Sequence, residues 1–128
     1  MNRLIRGCGA STNISRSGFF TALVGLLRSF NDEEITNEQI FQALNKELHV
    51  GATIANKEDA DAVVGKILCC GALLHAGRIA NINSEHLEQI TNILLQSSRY
   101  RSYHASLGFS FLIEIIDTVS KYQFSFKK

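Results

Sequence analysis

The stretch from Asn56 to Ile79, NKEDADAVVGKILCCGALLHAGRI, constrains the fold more than any other part of the sequence. Its apolar residues recur at three- and four-residue spacing, which places them on one face of a helix. Further apolar residues widen that face until most of the circumference is apolar. Such a helix has to be covered on more than one side, because its apolar surface would otherwise face water. We therefore expect the segments before and after it in the chain to pack against it.

Both ends of this helix carry recognisable signals. Asn56 is expected to cap the start, and the acidic residues that follow it suit the positive end of the helix dipole. Gly77 offers the left-handed residue that commonly ends a helix, and Arg78 suits the negative end. The chain contains no proline, so long helices run uninterrupted.

The remaining periodic segments are helical as well, and a loop is expected over residues 50–55. A capping box at Thr36 and Gln39 opens one of these helices. The predicted elements are a short helical or frayed lead-in over residues 1–14, a helix capped by Ser15 or Ser17 and running to about Phe30, a helix from Thr36 to near His49, a helix capped by Asn83 or Ser84, a long helix from about Ser102 to Tyr122, and a frayed tail over residues 123–128.

The spacing of these helices indicates a repeat. The three long apolar helices start near residues 15, 58 and 102, and the two intervening ones start near residues 37 and 84. A helix pair that recurs every 40 to 47 residues is typical of HEAT and armadillo solenoids. The sequence therefore predicts an all-α fold, an α-solenoid of about two and a half helix pairs over residues 1–128. An irregular helical bundle would give similar spacings.

Composition excludes little, but charge is unevenly placed. The net charge is +1, with +4 over residues 1–30, −6 over residues 31–61 and +3 over residues 99–128. The basic ends suit phosphate, although the overall balance does not require it. The three cysteines are interpreted as small apolar core residues in a reducing compartment, and adjacent Cys69 and Cys70 point about 100° apart on the helix.

Catalytic patterns are weak throughout. The sequence has no CxxC, HExxH, Walker loop or GxGxxG, and its histidines are scattered. We therefore expect no enzyme activity, no cofactor and no metal site. The run RYRSYH at residues 99–104 combines two arginines with two tyrosines at a helix start, a combination that holds phosphate or stacks on bases. The candidate phosphate contacts are Arg3, Arg6, Arg16, Arg99 and Arg101. The alternative is that the tyrosines pack between repeats while the arginines stay in water.

The N-terminal segment is open to two interpretations. It has arginines and serines without acids, as mitochondrial transit peptides do, yet its apolar spacing continues into a helix of the predicted fold. No run reaches the length of a membrane span, so we expect no membrane partner.

The chain resembles the N-terminal region of the Myb-binding protein 1A family, whose fungal members are called DNA polymerase V or phi. Residues 3–7 (RLIRG) match a family start of the type RLVRGL. Residues 16–27 follow the pattern R-x-G-F-x-x-A-L-x-x-L-L. The resemblance continues through LHVG at residues 48–51, DAVVGKIL at 61–68, ALLHAGRI at 72–79 and Ser102-Tyr103. It covers almost the whole chain, although each motif by itself is a helix-packing pattern.

The resemblance implies a segment of a large helical-repeat protein in the nucleus and nucleolus, with roles in transcription regulation and ribosome biogenesis. Its partners are then transcription or ribosome-assembly factors and, through the five arginines, DNA or RNA. It implies no polymerase activity, because the sequence lacks the metal-binding carboxylates that polymerases need. The alternative is a small helical adaptor in the cytosol or mitochondrion that binds no nucleic acid.

Overall fold

The computed structural model describes residues 1–48, 57–80, 82–99 and 102–127, and these residues form six α-helices without a strand among them. The all-α prediction is thereby confirmed, and the arrangement is compatible with a helical-repeat solenoid. The helices are α1 (Asn2–Gly7), α2 (Asn13–Ser29), α3 (Asn37–Glu47), α4 (Lys57–His75), α5 (Ser84–Ser98) and α6 (Ser102–Lys127). The predicted loop at residues 50–55 and the Asn56 cap lie outside the described residues.

Side-chain caps explain where three of the helices begin. Thr36 and Gln39 form the predicted capping box: the Gln39 N–H donates to Thr36 Oγ1 at 3.1 Å, and the Thr36 N–H donates to Gln39 Oε1 at 2.9 Å. Asn83 caps α5, as predicted. The cap of α2 is Thr12 rather than Ser15 or Ser17, because Thr12 has the extended backbone of a cap and its hydroxyl accepts from the Ser15 N–H.

Gly77 ends α4 in the predicted manner. Its φ of 80° lies in the left-handed region, where a Cβ would cause strain. The Gly77 N–H donates to the Leu74 carbonyl and the Arg78 N–H to the Leu73 carbonyl, both at 3.1 Å. This pair of bonds is the Schellman arrangement, which satisfies two carbonyls that the helix end leaves open.

The long helices α2 and α4 lie side by side and run parallel. Near their first turns, Arg16 forms an ion pair with Asp61 at 3.4 Å. At their last turns, Arg28 donates through Nε and Nη2 to the carbonyl of His75, at 3.1 and 2.7 Å. The N-terminal part of α2 contacts that of α4, and their C-terminal ends are also in contact. The chain therefore runs in the same direction again after one helix pair.

The contact between α4 and α6 has the same parallel sense. Close to the start of both helices, His104 Nε2 lies 3.2 Å from the carbonyl oxygen of Ala60. Further along, the rings of His75 and Phe111 meet edge to face at 6.1 Å. The three helices α2, α4 and α6 therefore form one layer with α4 in the middle, and they begin 44 and 45 residues apart.

The shorter helices α3 and α5 form the second layer. His86 of α5 lies 3.6 Å from the carboxylate of Glu38 and packs against the ring of Phe41 at 5.6 Å. They begin 47 residues apart, and α5 also packs against α4 and α6. The predicted division into long helices and intervening helices thus corresponds to two layers.

At the N-terminal end the structure has the helical form of the lead-in, and at the other end the last helix is longer than predicted. Within the lead-in, α1 packs against α2, α3 and α4, with Ile5 and Cys8 completely buried. The hydrophobic effect holds this short helix in place, since six residues are too few for an isolated helix. At the other end, α6 continues beyond Tyr122 to Lys127. Among the described residues, no helix is long and apolar enough to cross a membrane.

The backbone of α4 meets the backbone of the connector between α1 and α2 at a pair of glycines, Gly65 and Gly9. A Cβ on Gly65 would lie 2.8 Å from the backbone nitrogen of Gly9 and 2.9 Å from its Cα. Backbone atoms cannot move aside as a flexible side chain does. Gly65 therefore permits the connector between α1 and α2 to lie directly on α4.

We predict that Gly65→Ala destabilises the fold by about 1–3 kcal/mol, because the added methyl group forces α4 away from Gly9. The matched control is Gly25→Ala, at an exposed position of α2 where a Cβ meets nothing within 4 Å. Alanine there should stabilise the helix by about 0.5–1 kcal/mol. Urea unfolding followed by circular dichroism measures both. Equal stabilities of the two variants would contradict the packing described.

Candidate interaction surfaces

The five arginines predicted to contact phosphate have different surroundings. Arg3 and Arg6 are both exposed on α1. The guanidinium of Arg6 forms an ion pair with Glu47 at 2.8 Å, and Nε donates to the same carboxylate. The positive charge of Arg6 is thus partly balanced by a carboxylate of α3. Arg3 forms no ion pair with any residue that the structure describes.

Arg16 is held inside the fold. Its side chain is 12% exposed and donates to the carbonyl of Ala10 at 2.8 Å and to the side chains of Asn13 and Asp61. These contacts join the connector before α2, the first turn of α2 and the second turn of α4. Arg16 therefore serves the packing of the helices, and its guanidinium has few donors left for a ligand.

Arg99 is exposed at the C-terminal cap of α5. Helix α1 packs against α2, α3 and α4, whereas α5 packs against α4 and α6, so Arg99 lies in a different part of the stack from Arg3 and Arg6. Arg101 lies outside the described residues. The described arginines therefore do not form one cluster.

Among the described arginines, the one with the most hydrogen-bond acceptors around it, Arg78, was not a candidate. Arg78 is 3% exposed, and its guanidinium donates to the carbonyls of Phe30 at 2.9 Å and Asn31 at 3.3 Å, and to that of Ile35. It also forms an ion pair with the half-exposed Asp32 at 3.4 Å. Arg78 thus satisfies carbonyls at the end of α2 and in the loop before α3, rather than those of its own helix.

Arg28 and Arg78 exchange these roles between neighbouring helices. Arg28, in the last turn of α2, donates to the last carbonyl of α4, and Arg78, just after α4, donates to the carbonyl that ends α2. The position after a left-handed C-terminal glycine is frequently apolar in this motif. Arg78 occupies this usually apolar position, and the apolar Ile79 that follows it is buried. An arginine at such a position is the sequence signal that could have indicated a buried guanidinium.

Three exposed apolar side chains lie together on α6. Phe109, Ile113 and Ile116 are 47, 67 and 58% exposed, and their spacing places them on one stripe of the helix. We call these three residues the α6 stripe. The opposite face of α6, which includes Phe111 and Ile115, is buried against α4 and α5. Helical spacing alone would place Phe109, Leu112, Ile113 and Ile116 on one apolar side. In the structure Leu112 is half-buried and the other three face solvent.

The α6 stripe lies on the face of α6 that corresponds to the face of α4 against which α6 packs. Helix α6 begins 45 residues after α4. On α4, the residues that meet α6 include Ala60, Gly71 and His75, and Gly71 lies under the ring of Phe111. A shift of 45 residues carries these positions to 105, 116 and 120 of α6, and Phe109 and Ile113 lie between them on the same face. The stripe therefore lies where α6 would contact a further helix, if that helix packed on α6 as α6 packs on α4.

A second, more polar surface lies between α3 and α5. This groove of about 400 Å³ is lined by Phe41 and Ile93 and by the side-chain amides of Gln42, Asn45, Gln89 and Asn92, with Glu38 beside it. Within the described part of the chain, none of these four amides forms a side-chain hydrogen bond. Unpaired amides supply both donors and acceptors. The groove is suited to a polar chain segment rather than to an apolar ligand.

No metal-binding cluster is found in the described ranges, in which no three His, Cys, Asp or Glu side chains are placed to hold an ion. The three cysteines are buried. Burial raises the pKa of the Cys70 thiol to about 12. A thiol with so high a pKa is protonated at neutral pH and is a poor nucleophile.

Comparison with known proteins gives one match. A family model described as DNA polymerase phi matches residues 1–128, the whole chain. The match agrees with the resemblance of the sequence to the N-terminal region of the DNA polymerase phi and Myb-binding protein 1A family. No curated protein and no solved structure matches significantly.

Proposed function

The chain belongs to the DNA polymerase phi family, and from this membership we propose that it is a non-enzymatic helical scaffold in transcription regulation and ribosome biogenesis. The family suggests a nuclear protein. We further propose that it acts in the nucleolus, where ribosomal RNA genes are transcribed. Its mechanism is then the presentation of stacked helix surfaces to transcription or ribosome-assembly factors.

The structural observation that supports the scaffold part of this proposal is the α6 stripe. Large apolar side chains that lie together on a surface mark interaction sites, because water contact with them is unfavourable. Ile113 alone leaves two thirds of its surface exposed. The register of the stripe with the receiving face of α4 indicates that a helix, rather than a loop or a small molecule, is the element that fits there. Helix binding by an apolar groove or face is a common mode of protein recognition.

We predict that Ile113→Glu reduces the binding of protein partners about tenfold or more, since it places a charge where an apolar contact forms. The tagged chain is expressed in cells, imaged, and purified with its partners for quantitative mass spectrometry. Ser110→Glu is the matched control, because it adds the same charge at an exposed position beside the stripe. We expect nucleolar signal and undiminished partner recovery with the control. Mitochondrial import, or equal recovery with both variants, would contradict the proposal.

Nucleic-acid contact forms a second part of the proposed function. Arg3 and Arg99 are exposed and form no ion pair with a described carboxylate. Arg101 lies outside the described residues and remains a candidate from the sequence alone. The ion pairs of Arg6 and Arg16 make these two residues weaker candidates. Phosphate binding by exposed arginines releases counterions, which makes the affinity depend on salt concentration.

We predict that changing Arg99 and Arg101 together to Ala weakens DNA binding and lowers the slope of log K against log salt concentration by about 2, close to 0.9 for each lost phosphate contact. Fluorescence anisotropy with a labelled duplex over a salt series measures both quantities. Lys121→Ala is the control, because Lys121 is exposed and paired with Asp117 at 2.9 Å. An unchanged slope in the double variant would remove these arginines from the proposed interface.

We propose that the polymerase name of the family does not describe an activity of this chain. The support is the sequence, which has no catalytic motif and no grouping of carboxylates typical of a polymerase. In primer extension with the purified chain and a primed template, we expect no product above the protein-free background. A known polymerase under the same conditions is the positive control. Template-dependent extension that increases with the concentration of the chain would overturn this proposal.

A further inference from the structure

The two helices of the second layer carry the same surface pattern, E-x-x-x-Q-x-x-N. Its residues are Glu38, Gln42 and Asn45 in α3 and Glu85, Gln89 and Asn92 in α5. Each of the three equivalent pairs is 47 residues apart, which is also the separation between the first residues of the two helices. The pattern therefore belongs to the repeat, and it occupies the same place on both helices.

The amides of both copies line one groove. Spacings of three and four residues place the members of each pattern in one row along the surface of a helix. The groove of about 400 Å³ between α3 and α5 is lined by both glutamines and both asparagines, and Glu38 lies beside them. The two helices meet there through the rings of Phe41 and His86, whose centroids are 5.6 Å apart. Amides from neighbouring repeats thus form two adjacent rows.

The fold makes no use of these four amides. Gln42, Asn45 and Asn92 are exposed, Gln89 is half-buried, and none of the four forms a side-chain hydrogen bond with a residue that the structure describes. Asparagine also favours a helix less than lysine, glutamate or glutamine does. Neither packing nor helix formation therefore explains why an asparagine recurs at the same place in both repeats.

Rows of amides match the polar groups of an extended backbone. A side-chain amide has an oxygen that accepts and an NH2 group that donates, and these complement the backbone N–H and C=O. Packed helices lie about 8–10 Å apart, and an extended chain advances about 3.3 Å per residue. Amides on adjacent helices therefore reach backbone groups about two to three residues apart. Main-chain hydrogen bonds of this kind give affinity to an extended peptide.

The charges around the groove favour a basic segment. Glu38 and Glu85 are exposed at the same position of the two rows, and Glu88 is exposed on α5, which contains no lysine or arginine. Lys46 is the one lysine or arginine of α3, and it lines a neighbouring pocket. Carboxylates attract cationic side chains and repel phosphate groups. A polypeptide with lysines or arginines is thus favoured over a nucleic acid.

We propose that the groove between α3 and α5 binds an extended, basic polypeptide segment of a partner protein. The four amides bond to its backbone, and the glutamates attract its cationic side chains. This surface lies on the second layer, whereas the α6 stripe lies on the first. The chain then offers two docking surfaces, one for an apolar helix and one for an extended segment. The test below uses a peptide without apolar anchors, so its result is independent of the α6 stripe.

The test is binding of a fluorescein-labelled peptide to the purified chain, measured by anisotropy. The probe alternates lysine and threonine over about eight residues, which span about 26 Å when extended and cross both helices. Asn45→Ala combined with Asn92→Ala should weaken binding about 5- to 100-fold, the effect of losing two or more hydrogen bonds. Asn2→Ala is the matched control, because Asn2 is an exposed amide of α1 outside the groove, and its affinity should be unchanged. Circular dichroism verifies that the variants remain folded.

Two altered probes separate backbone recognition from attraction between charges. N-methylation of the peptide backbone removes its donors and retains the lysines, and glutamate in place of lysine reverses the charge. We expect each change to weaken binding about tenfold or more. Equal binding of the methylated or the glutamate peptide, unchanged affinity of the double asparagine variant, or no binding of the first probe at about 1 mM would each overturn the proposal. A labelled RNA that binds more tightly than the peptide and is lost in the double variant would also overturn it.

Discussion

The rest of the structure depends on the burial of α4, which lies between α2 and α6 in one layer and is also covered by α1 and α5. Ile67, Ala72 and Leu73 have no exposed surface, and α2, α6, α5 and α1 all contribute to covering this helix. Because apolar burial is the main favourable term in folding, removal of any one of these neighbours would expose part of the core. The two glycines at positions 65 and 71 let a backbone and an aromatic ring approach the helix directly. The helix pairs before and after α4 are thus joined through it.

Apolar burial alone does not set the direction or register of the helices, whereas the polar contacts at their ends do. Arg16 with Asp61 joins the N-terminal parts of α2 and α4, and Arg28 with the His75 carbonyl joins their last turns. Each contact spans close to one repeat in the sequence, so the same displacement carries α2 onto α4 and α4 onto α6. The exposed stripe of α6 is a consequence of that displacement. It reproduces a face that is covered on α4, and its apolar character therefore has a structural origin.

Most of the fold follows from local patterns. The helices, the capping box of Thr36, the Asn83 cap and the left-handed Gly77 depend on residues within one or two turns, and the 44- to 47-residue spacing follows from them. The packed state of α1 does not follow, because it depends on α2, α3 and α4 and not on its own six residues. The same reason applies to α6: periodicity finds the apolar face but does not show which part of it meets α4. Contacts between side chains of different repeats join residues that are far apart in the sequence, so local sequence patterns do not predict them.

The arginines show most clearly why a site is harder to predict than a fold. Guanidinium groups bind phosphate, carboxylate and backbone carbonyls with the same planar donors, so the residue type does not distinguish a ligand contact from a helix cap. Arg16 and Arg78 are buried among protein acceptors, Arg6 faces Glu47, and only Arg3 and Arg99 among the described candidates face solvent without a carboxylate. The basic charge counted in the sequence is therefore larger than the charge that the surface offers to a polyanion. This difference shifts the balance of the proposed function toward protein contact through α6.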